Sequence, residues 1–152
     1  MTAAIELLTC RVTLDGADLA EHLRIRRVVF VDEQKIFDRS DVGPQDHDPR
    51  TAHVLGLVDG VPGGVVRLYP LEEIGLWQGD RLAVLPGCRQ FGLGGPLVRF
   101  AVRTAGERGG RTMLAMVQVA NVRFFERLGW RRVGDQVDYV GLPHQQMSIS
   151  LG

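Results

Sequence analysis

Apolar and polar positions repeat along the chain in a way that predicts a mixed α/β sheet. Apolar, β-branched runs predict strands over residues 5–13, 53–58, 64–69, 80–85, 113–119, 133–140 and 145–151. Apolar residues at helical spacing predict helices over residues 17–30, 93–107 and 121–128. The order β-α-β-β-β-α-β-α-β-β favours an α/β fold of mixed α+β character, in which a single domain covers residues 1–152.

The connections between these elements add further predictions. Asp59-Gly60 opens a short turn between two strand candidates, which predicts an antiparallel hairpin. Residues 71–79 are predicted to be a connection that carries Trp77, and His144 is predicted to follow a proline turn. Residues 32–50 form a polar loop that is long for a compact domain, which indicates either a functional or a disordered segment.

The composition of the 152-residue chain is that of an ordinary globular protein, with 45% hydrophobic and 24% charged residues. Its 18 basic and 18 acidic residues cancel, which argues against a nucleic-acid or anionic-membrane partner. Cys10 and Cys88 stand in no metal or disulfide motif, and the N-terminus lacks the pattern of a signal peptide. We therefore expect a cytoplasmic protein without a membrane span.

The stretch RQFGLGG at residues 89–95 has three glycines, which carry no side chain, and an arginine at the start of a predicted helix. A helix N-terminus has unpaired N–H groups that attract phosphate, and glycines let the ligand approach the backbone. Arg89 would add a permanent charge. The spacing fits neither GxGxxG nor GxxxxGK[ST], so we expect a pyrophosphate site of another kind, with a ligand-free glycine turn as the alternative.

This stretch, RxxGxG between an apolar strand and an amphipathic helix, resembles the acetyl-CoA loop of the GNAT superfamily of N-acetyltransferases. Residues 121–130, NVRFFERLGW, resemble the N…FYEKLGF segment of the same superfamily. Together the two segments extend the resemblance over residues 20–151. It implies the GNAT (acyl-CoA N-acyltransferase) fold and acetyl-CoA as the acyl-donor cosubstrate.

The resemblance also implies a set of contacts to the donor. Backbone groups pair with the pantetheine arm, the loop holds the pyrophosphate, and three side chains lie near the pantetheine or the thioester. In that order, the implied residues are Leu82, Ala83 and Val84; Arg89, Phe91, Gly92, Leu93, Gly94 and Gly95; and Asn121, Phe124 and Phe125. Without the resemblance, Asn121 could equally be the N-cap of its helix, and Phe124 and Phe125 could equally be ordinary core residues that do not contact the donor.

A narrower resemblance lies in the first half of the chain. Residues 27–34, RVVFVDEQ, are similar to the RxxVFVxEQ opening of a small bacterial GNAT subgroup, and residues 77–84 and 141–144 resemble its nitrogen-starvation N-acetyltransferase branch. The same opening is also similar to that of acyl-homoserine-lactone synthases. This chain lacks the tryptophan that follows the opening in those synthases, so a synthase is the minor alternative.

Acetyl transfer to an amine requires a base, because an alkyl amine of pKa about 10.4 is only about 1 part in 2,500 neutral at pH 7. The catalytic candidates are Glu33, whose pKa burial would raise, and His144. At the position where many GNAT enzymes have a tyrosine acid, this chain has Phe125, which cannot donate a proton. Tyr139 or His144 could replace that acid.

The substrate candidates lie in the acidic segment and on the hairpin. Asp41 and Asp46 are predicted to attract a cationic amine to the entrance of the site, with a solvated surface loop as the alternative. His53 could form a hydrogen bond to the same loop. Arg67 could bind a substrate carboxylate or pair with an aspartate of the loop. The spacing of Asp38 and its neighbours does not fit a calcium loop, so no metal is expected.

The function predicted from the sequence is acetyl-CoA-dependent N-acetylation of a small amine by direct attack on the thioester. No covalent enzyme intermediate is expected, since neither cysteine stands in a nucleophile context. Phe125 favours the alternative of a non-catalytic CoA-binding sensor or interaction module. Dimers are common in the superfamily, so a homodimer is an open expectation that no residue of the sequence demands.

Overall fold

A computed structural model describes residues 7–152 and gives an α/β fold built around a mixed sheet. The strands are β1 Leu8–Val12, β2 Ala52–Val58, β3 Val61–Pro70, β4 Leu76–Val84, β5 Thr112–Gln118, β6 Arg131–Arg132, β7 Val137–Tyr139 and β8 Leu142–Ser150. The helices are α1 Gly16–Arg26, α2 Gly94–Glu107 and α3 Val122–Arg127. A π-helical segment, Arg27–Glu33, continues α1, and 3₁₀ turns cover Pro44–His47, Pro86–Phe91 and Val119–Asn121.

The strand order is β1-β2-β3-β4-β5-β8-β6, with β7 paired to β8. All neighbours are antiparallel except β4 and β5, which are parallel. Their ladder joins only Leu76–Gly79 to Thr112–Ala115, although both strands continue beyond it. The sheet therefore opens between β4 and β5, and within the described part of the chain no strand pairs with the edge of residues 80–84 that faces β5.

A β-bulge in β4 lies at the edge of this opening. Val65 of β3 pairs with Ala83 and Arg67 pairs with Asp80, so two β4 residues stand opposite one β3 residue. One of the two, Arg81, has φ 54°, a left-handed conformation that costs a non-glycine residue about 1–3 kcal/mol. Its side chain is held by hydrogen bonds to Asp41 and by the ring of Phe37, 4.5 Å from the guanidinium carbon.

Two apolar clusters pack on opposite faces of the sheet. On the face covered by α1, Ile25, Val29 and Phe30 pack on residues of β2, β3 and β4. On the face covered by α2 and α3, Leu97 and Val98 pack on a larger set that includes Trp77 and Met113. The apolar surface that each helix buries on the sheet is the main source of stability in such a layered fold.

Two hairpins use two-residue turns. Asp59-Gly60 joins β2 to β3 and Val140-Gly141 joins β7 to β8, and all four residues have positive φ, which matches the twist of the flanking strands. The first confirms the predicted hairpin. The second corrects the prediction for His144, which lies inside β8 rather than after a turn.

Most predicted elements are confirmed in type and order, with shifted bounds, but the strand predicted over residues 133–140 is wrong: two short strands, β6 and β7, flank residues 133–136, which lie in neither. The predicted first strand begins at Ile5, which lies outside the described residues, and its described part is β1. Trp77 was predicted in a connection, but it is a buried residue of β4. No helix formed by residues 7–152 is long and apolar enough to cross a bilayer.

Candidate active site

The N-terminus of α2 opens into a cleft of about 650 Å³ next to the gap between β4 and β5. The cleft is lined by residues of the glycine loop, of β4 and of α3, among them Val84, Gly92, Gly95 and Phe124. Among residues 7–152, no side chain caps α2, and its first turn contains no acidic residue. The N–H groups of that turn therefore retain their partial positive charge and are free to bind an anion.

The glycines of the loop differ in what their backbone allows. Gly92 has φ 72°, a left-handed backbone conformation that favours glycine. A Cβ added there would meet no atom within 4 Å, so steric crowding is not the reason for a glycine at this position. A Cβ at Gly94 would lie 3.3 Å from the ring of Phe124. A Cβ at Gly95 would lie 3.2 Å from the end of the Arg99 side chain, which is flexible. Gly95 is therefore the position where the site can be altered with least strain.

Arg89 lines the same cleft, but its positive charge is partly neutralised by an ion pair with Glu33. Its guanidinium forms a two-pronged ion pair with Glu33, and its Nε donates to the carbonyl of Val84 at 3.1 Å. The hydrogen bond from Arg89 lowers the pKa of Glu33. The expectation that burial raises the pKa of Glu33 is therefore wrong, and an anionic partner of Arg89 is a weak base at neutral pH.

A second cavity, of about 340 Å³, lies in the opening between β4 and β5. Gln34, Leu82, Gln118 and Asn121 line both this cavity and the α2 cleft. The Gln118 side chain donates to the Gln34 side chain at 3.1 Å, which bridges the end of β5 and the π-helical segment. The two spaces thus adjoin each other and share part of their walls.

His144 is a buried lining residue of the cavity, and it is paired with Gln118 in the β5–β8 ladder. Its Nδ1 lies 2.9 Å from the carbonyl oxygen of Leu142. Because a carbonyl can only accept, this contact requires a proton on Nδ1, and in the neutral form of the ring the lone pair is then on Nε2. The ring of Tyr139 packs edge-on at 5.2 Å and lines the cavity as well. This arrangement suits His144 to accept a proton at Nε2.

Phe125 lies between Phe124 and Trp130, with ring-centroid distances of 5.5 Å and 5.4 Å. It is buried and lines the 340 Å³ cavity, whereas Phe124 lines the α2 cleft. Both rings are therefore core residues and cavity walls at once. Asn121 makes no side-chain cap to α3, so the predicted cap is wrong, and the residue lines both spaces.

Asp80 and Tyr69 are two cavity residues that the sequence prediction did not include. The Arg67 guanidinium binds Asp80 through two hydrogen bonds of 2.8 and 2.7 Å, and the Tyr69 hydroxyl donates to Asp80 at 3.1 Å. Burial raises the pKa of Tyr69, so its hydroxyl remains a neutral donor. The alternation of Arg67 and Tyr69 with apolar residues in β3 was the signal that both face one side of the sheet.

Asp41 and Asp46 do not form a substrate mouth, because both carboxylates are occupied in a buried ion network. Asp41 binds Arg26 and Arg81, at 2.6 and 3.0 Å. Asp46 binds Arg26 at 2.7 Å and His53 at 2.9 Å, and Nη1 of Arg67 lies 3.0 Å away. Their side chains are only 3% and 4% exposed. This contradicts their predicted contact with substrate and confirms the alternative that Arg67 pairs with the loop.

The network explains why residues 32–50 are ordered. Burial alone would raise the pKa of Asp46, but the hydrogen bonds from His53 and Arg26 hold it well below its ordinary value. The carboxylate is therefore ionised throughout the physiological range and ties the loop to α1, β2 and β3. Among the described residues, no group of three or more His, Cys, Asp and Glu side chains could hold a metal ion.

His22, beside this network, predicts a pH dependence of stability. Burial lowers its pKa to about 3, and its ring packs on His53. Because the unfolded histidine has a pKa of about 6.5, the unfolded state binds the extra proton, and stability falls as the pH drops below about 6.5. His22 alone should contribute a slope of about 1 kcal/mol per pH unit between pH 5.5 and 4.

Urea unfolding at a series of pH values measures this slope. We expect His22→Gln, whose amide can still donate to the carbonyl of Val66 that Nε2 of His22 contacts at 3.1 Å, to reduce it by about 1 kcal/mol per pH unit. His47→Gln, at an exposed histidine, is the control. An unchanged slope in His22→Gln would show that His22 is not the titrating group.

Comparison with known proteins agrees with this geometry. Residues 18–130 match the family model described as the acetyltransferase (GNAT) family. A protein of Bacillus subtilis (strain 168), named "Putative acetyltransferase BSU40680", is 31% identical over 133 residues, which are 86% of this chain and 88% of the relative.

Solved structures share the fold over nearly the whole chain. An acyl-CoA N-acyltransferase from Pseudomonas aeruginosa is 26% identical with a TM-score of 0.80, and the match covers 95% of this chain and 99% of that one. An aminoglycoside 6'-N-acetyltransferase complexed with coenzyme A is 16% identical with a TM-score of 0.72 over 95% and 97% of the two chains, which shows the fold alone. The family match covers most of the chain, and the chain therefore belongs to the acetyltransferase (GNAT) family.

Proposed function

We propose that the protein transfers the acetyl group of acetyl-CoA to a small amine by direct attack of the amine on the thioester. The observation that carries the proposal is the pair of adjoining spaces, in which an uncapped helix N-terminus lies beside an open gap between two strands. One protein of the same fold is an acetyltransferase complexed with coenzyme A, which supports the donor.

The residues present fit coenzyme A. The N–H groups of the first turn of α2 suit a pyrophosphate, and the edge of Leu82, Ala83 and Val84 beyond the β4–β5 ladder suits the amides of a pantetheine arm, although the Val84 carbonyl already accepts from Arg89. Arg89 adds charge at the cleft, although Glu33 shares it.

In the proposed reaction, the amine nitrogen forms a bond to the thioester carbonyl carbon and the C–S bond breaks. The amine loses one proton and the thiolate of CoA gains one. Nε2 of His144 would accept the amine proton, and the resulting imidazolium would give it to the thiolate, so one residue serves as base and acid. This role removes the need for a tyrosine at position 125, where Phe125 has no hydroxyl.

The acceptor side of the site suits a small cationic or neutral amine. The hydroxyl of Tyr69 and the carboxylate of Asp80 both line the cavity near the bulge of β4. Asp80 is already neutralised by Arg67, so the cavity is polar without a strong net charge. We propose these two residues, rather than Asp41 and Asp46, as contacts of the acceptor.

A panel of primary amines with acetyl-CoA, followed by detection of the released thiol, tests the proposal. The expected result is thiol release that depends on the amine and that yields an N-acetylated product by mass spectrometry. Binding of acetyl-CoA without turnover on any amine would favour a CoA-binding sensor or interaction module. Turnover only with S-adenosylmethionine and an acyl-carrier protein would favour a lactone synthase.

A further inference from the structure

The 340 Å³ cavity passes through the sheet. Its lining includes Phe30, Ile36 and Phe37, which belong to the apolar cluster on the α1 face. It also includes residues of the cluster on the α2 face: Val66, Val98, Ala101, Met113, Ala115, Val117, Phe125 and Trp130. A space that reaches both clusters has to cross the plane of the strands.

The crossing is possible only where β4 and β5 are not hydrogen-bonded, beyond the pair Gly79 and Ala115. Both residues are small and both line the cavity. A Cβ at Gly79 would lie 2.7 Å from the terminal methyl of Met113, so the passage has no room for a larger residue there. Ala101 of α2 is a third small lining residue, on the far side.

The two sides of the cavity differ in chemistry. Polar lining residues of the strands share the α1 side by strand alternation and by cross-strand pairing, among them Tyr69, Gln78, Asp80, Gln118 and His144. On the α2 side the lining residues of the strands and of α2 are apolar, while Asn121 lies next to α3 and the buried indole N–H of Trp130 has no hydrogen-bond partner among the described residues. We call this α2 side of the cavity, bounded by Val66, Val98, Ala101, Met113, Ala115, Val117, Phe125 and Trp130, the inner compartment.

We propose that the inner compartment binds the hydrocarbon chain of the acyl donor, so that the protein accepts acyl groups longer than acetyl and binds them more tightly. This inference rests on the proposed function, because it places the thioester of a CoA donor at the gap. The cavity that contains the inner compartment adjoins the α2 cleft at Leu82 and Asn121, which line both spaces. A charged amine would be poorly solvated in the inner compartment. The hydrocarbon part of the acyl donor is therefore the proposed occupant.

The size of the cavity supports a longer chain. An apolar cavity of about 150 Å³ holds a molecule of benzene, and this cavity has about 340 Å³ for an acyl chain and an acceptor. The single methyl group of an acetyl donor would leave most of the inner compartment empty. Burial of each further methylene should tighten binding about fourfold until the compartment is filled.

Calorimetric titration of the full chain with CoA, acetyl-CoA, butyryl-CoA and hexanoyl-CoA tests the proposal. We expect butyryl-CoA to bind about sixteenfold more tightly than acetyl-CoA, because it buries two more methylenes at about fourfold each. Equal or weaker binding of the longer donors, with CoA itself bound, would overturn the inference and leave the proposed function intact. Failure of every compound, CoA included, to bind the folded protein would overturn both.

Substitutions within the inner compartment test whether the acyl chain of the donor binds there. Ala101→Leu fills the space and should abolish the preference for longer donors, while the affinity for CoA stays within about twofold. Val102→Leu enlarges the neighbouring side chain of α2, which does not line the cavity, and should keep the preference. If Ala101→Leu is unfolded by circular dichroism, Ala115→Val serves the same purpose from β5. A folded variant that keeps the preference would overturn the inference.

Discussion

Replacing Asp46 with alanine is expected to destabilise the protein by about 3–5 kcal/mol, the cost of removing one partner from a buried ion pair. The side chain of Asp46 is 4% exposed and binds both Arg26 and His53, and it also faces Arg67. The substitution leaves Arg26, which is fully buried, with one carboxylate instead of two. For a chain of this size, the loss corresponds to a fall in Tm of roughly 10 °C.

Thermal and urea unfolding measure this loss, and Asp48→Ala is the matched control. Asp48 lies two residues further on and pairs with Arg50, whose side chain is 67% exposed. An exposed pair contributes little, so the control should lose less than about 1 kcal/mol. Similar stabilities of the two variants would mean that the buried network does not hold the loop at residues 32–50.

Replacing His144 with glutamine is expected to lower kcat by about 10²–10⁴-fold, the usual contribution of a general acid–base group. Glutamine is similar in size and polar, but it cannot take up a proton at the position of Nε2. The affinity for acetyl-CoA should stay within about twofold of wild type, because the change removes a proton acceptor and no proposed contact to the pyrophosphate. Steady-state kinetics with the best amine of the panel, together with calorimetry, separates the two effects.

His47→Gln is the control for this experiment, since His47 is exposed and lies away from the cavity lining. Activity of His144→Gln within threefold of wild type would contradict the proposed role and direct attention to Tyr69 and Tyr139. A parallel loss of donor binding and kcat would indicate instead that His144 supports the shape of the site.

The periodic elements were predictable from the sequence because their signals are local. The apolar stripe of α2 and the Asp59-Gly60 turn lie within a few residues of the structures that they specify. Trp77 was placed wrongly because Gln78 and Gly79 resemble a loop, whereas they alternate across β4 with Trp77 and Asp80. His144 was placed wrongly because Pro143 suggests a turn. In fact β8 pairs with β5 only from His144 onward, so Pro143 interrupts no bond of that ladder.

The site was predictable only in part, because some of its interactions join distant residues. The glycine loop is a local motif and lies at the N-terminus of α2 as expected. Arg26 and His22 occupy polar positions of a helix, and nothing local indicates that both are buried. Their partners come from residues 41–66, so only the tertiary fold reveals that Asp41 and Asp46 are structural and that Asp80 reaches the cavity.

Calorimetric titration with acetyl-CoA of the wild-type protein and of Gly95→Glu tests the central claim most directly. A glutamate in the first turn is compatible with the helix dipole and meets only the flexible Arg99 side chain, but it places a negative charge where the pyrophosphate is proposed to lie. We expect micromolar binding by the wild type, at least about tenfold weaker binding by Gly95→Glu, and an intermediate value for Gly95→Gln. Equal binding by all three proteins, or no binding by folded wild type free of co-purified CoA, would contradict a donor site at the N-terminus of α2.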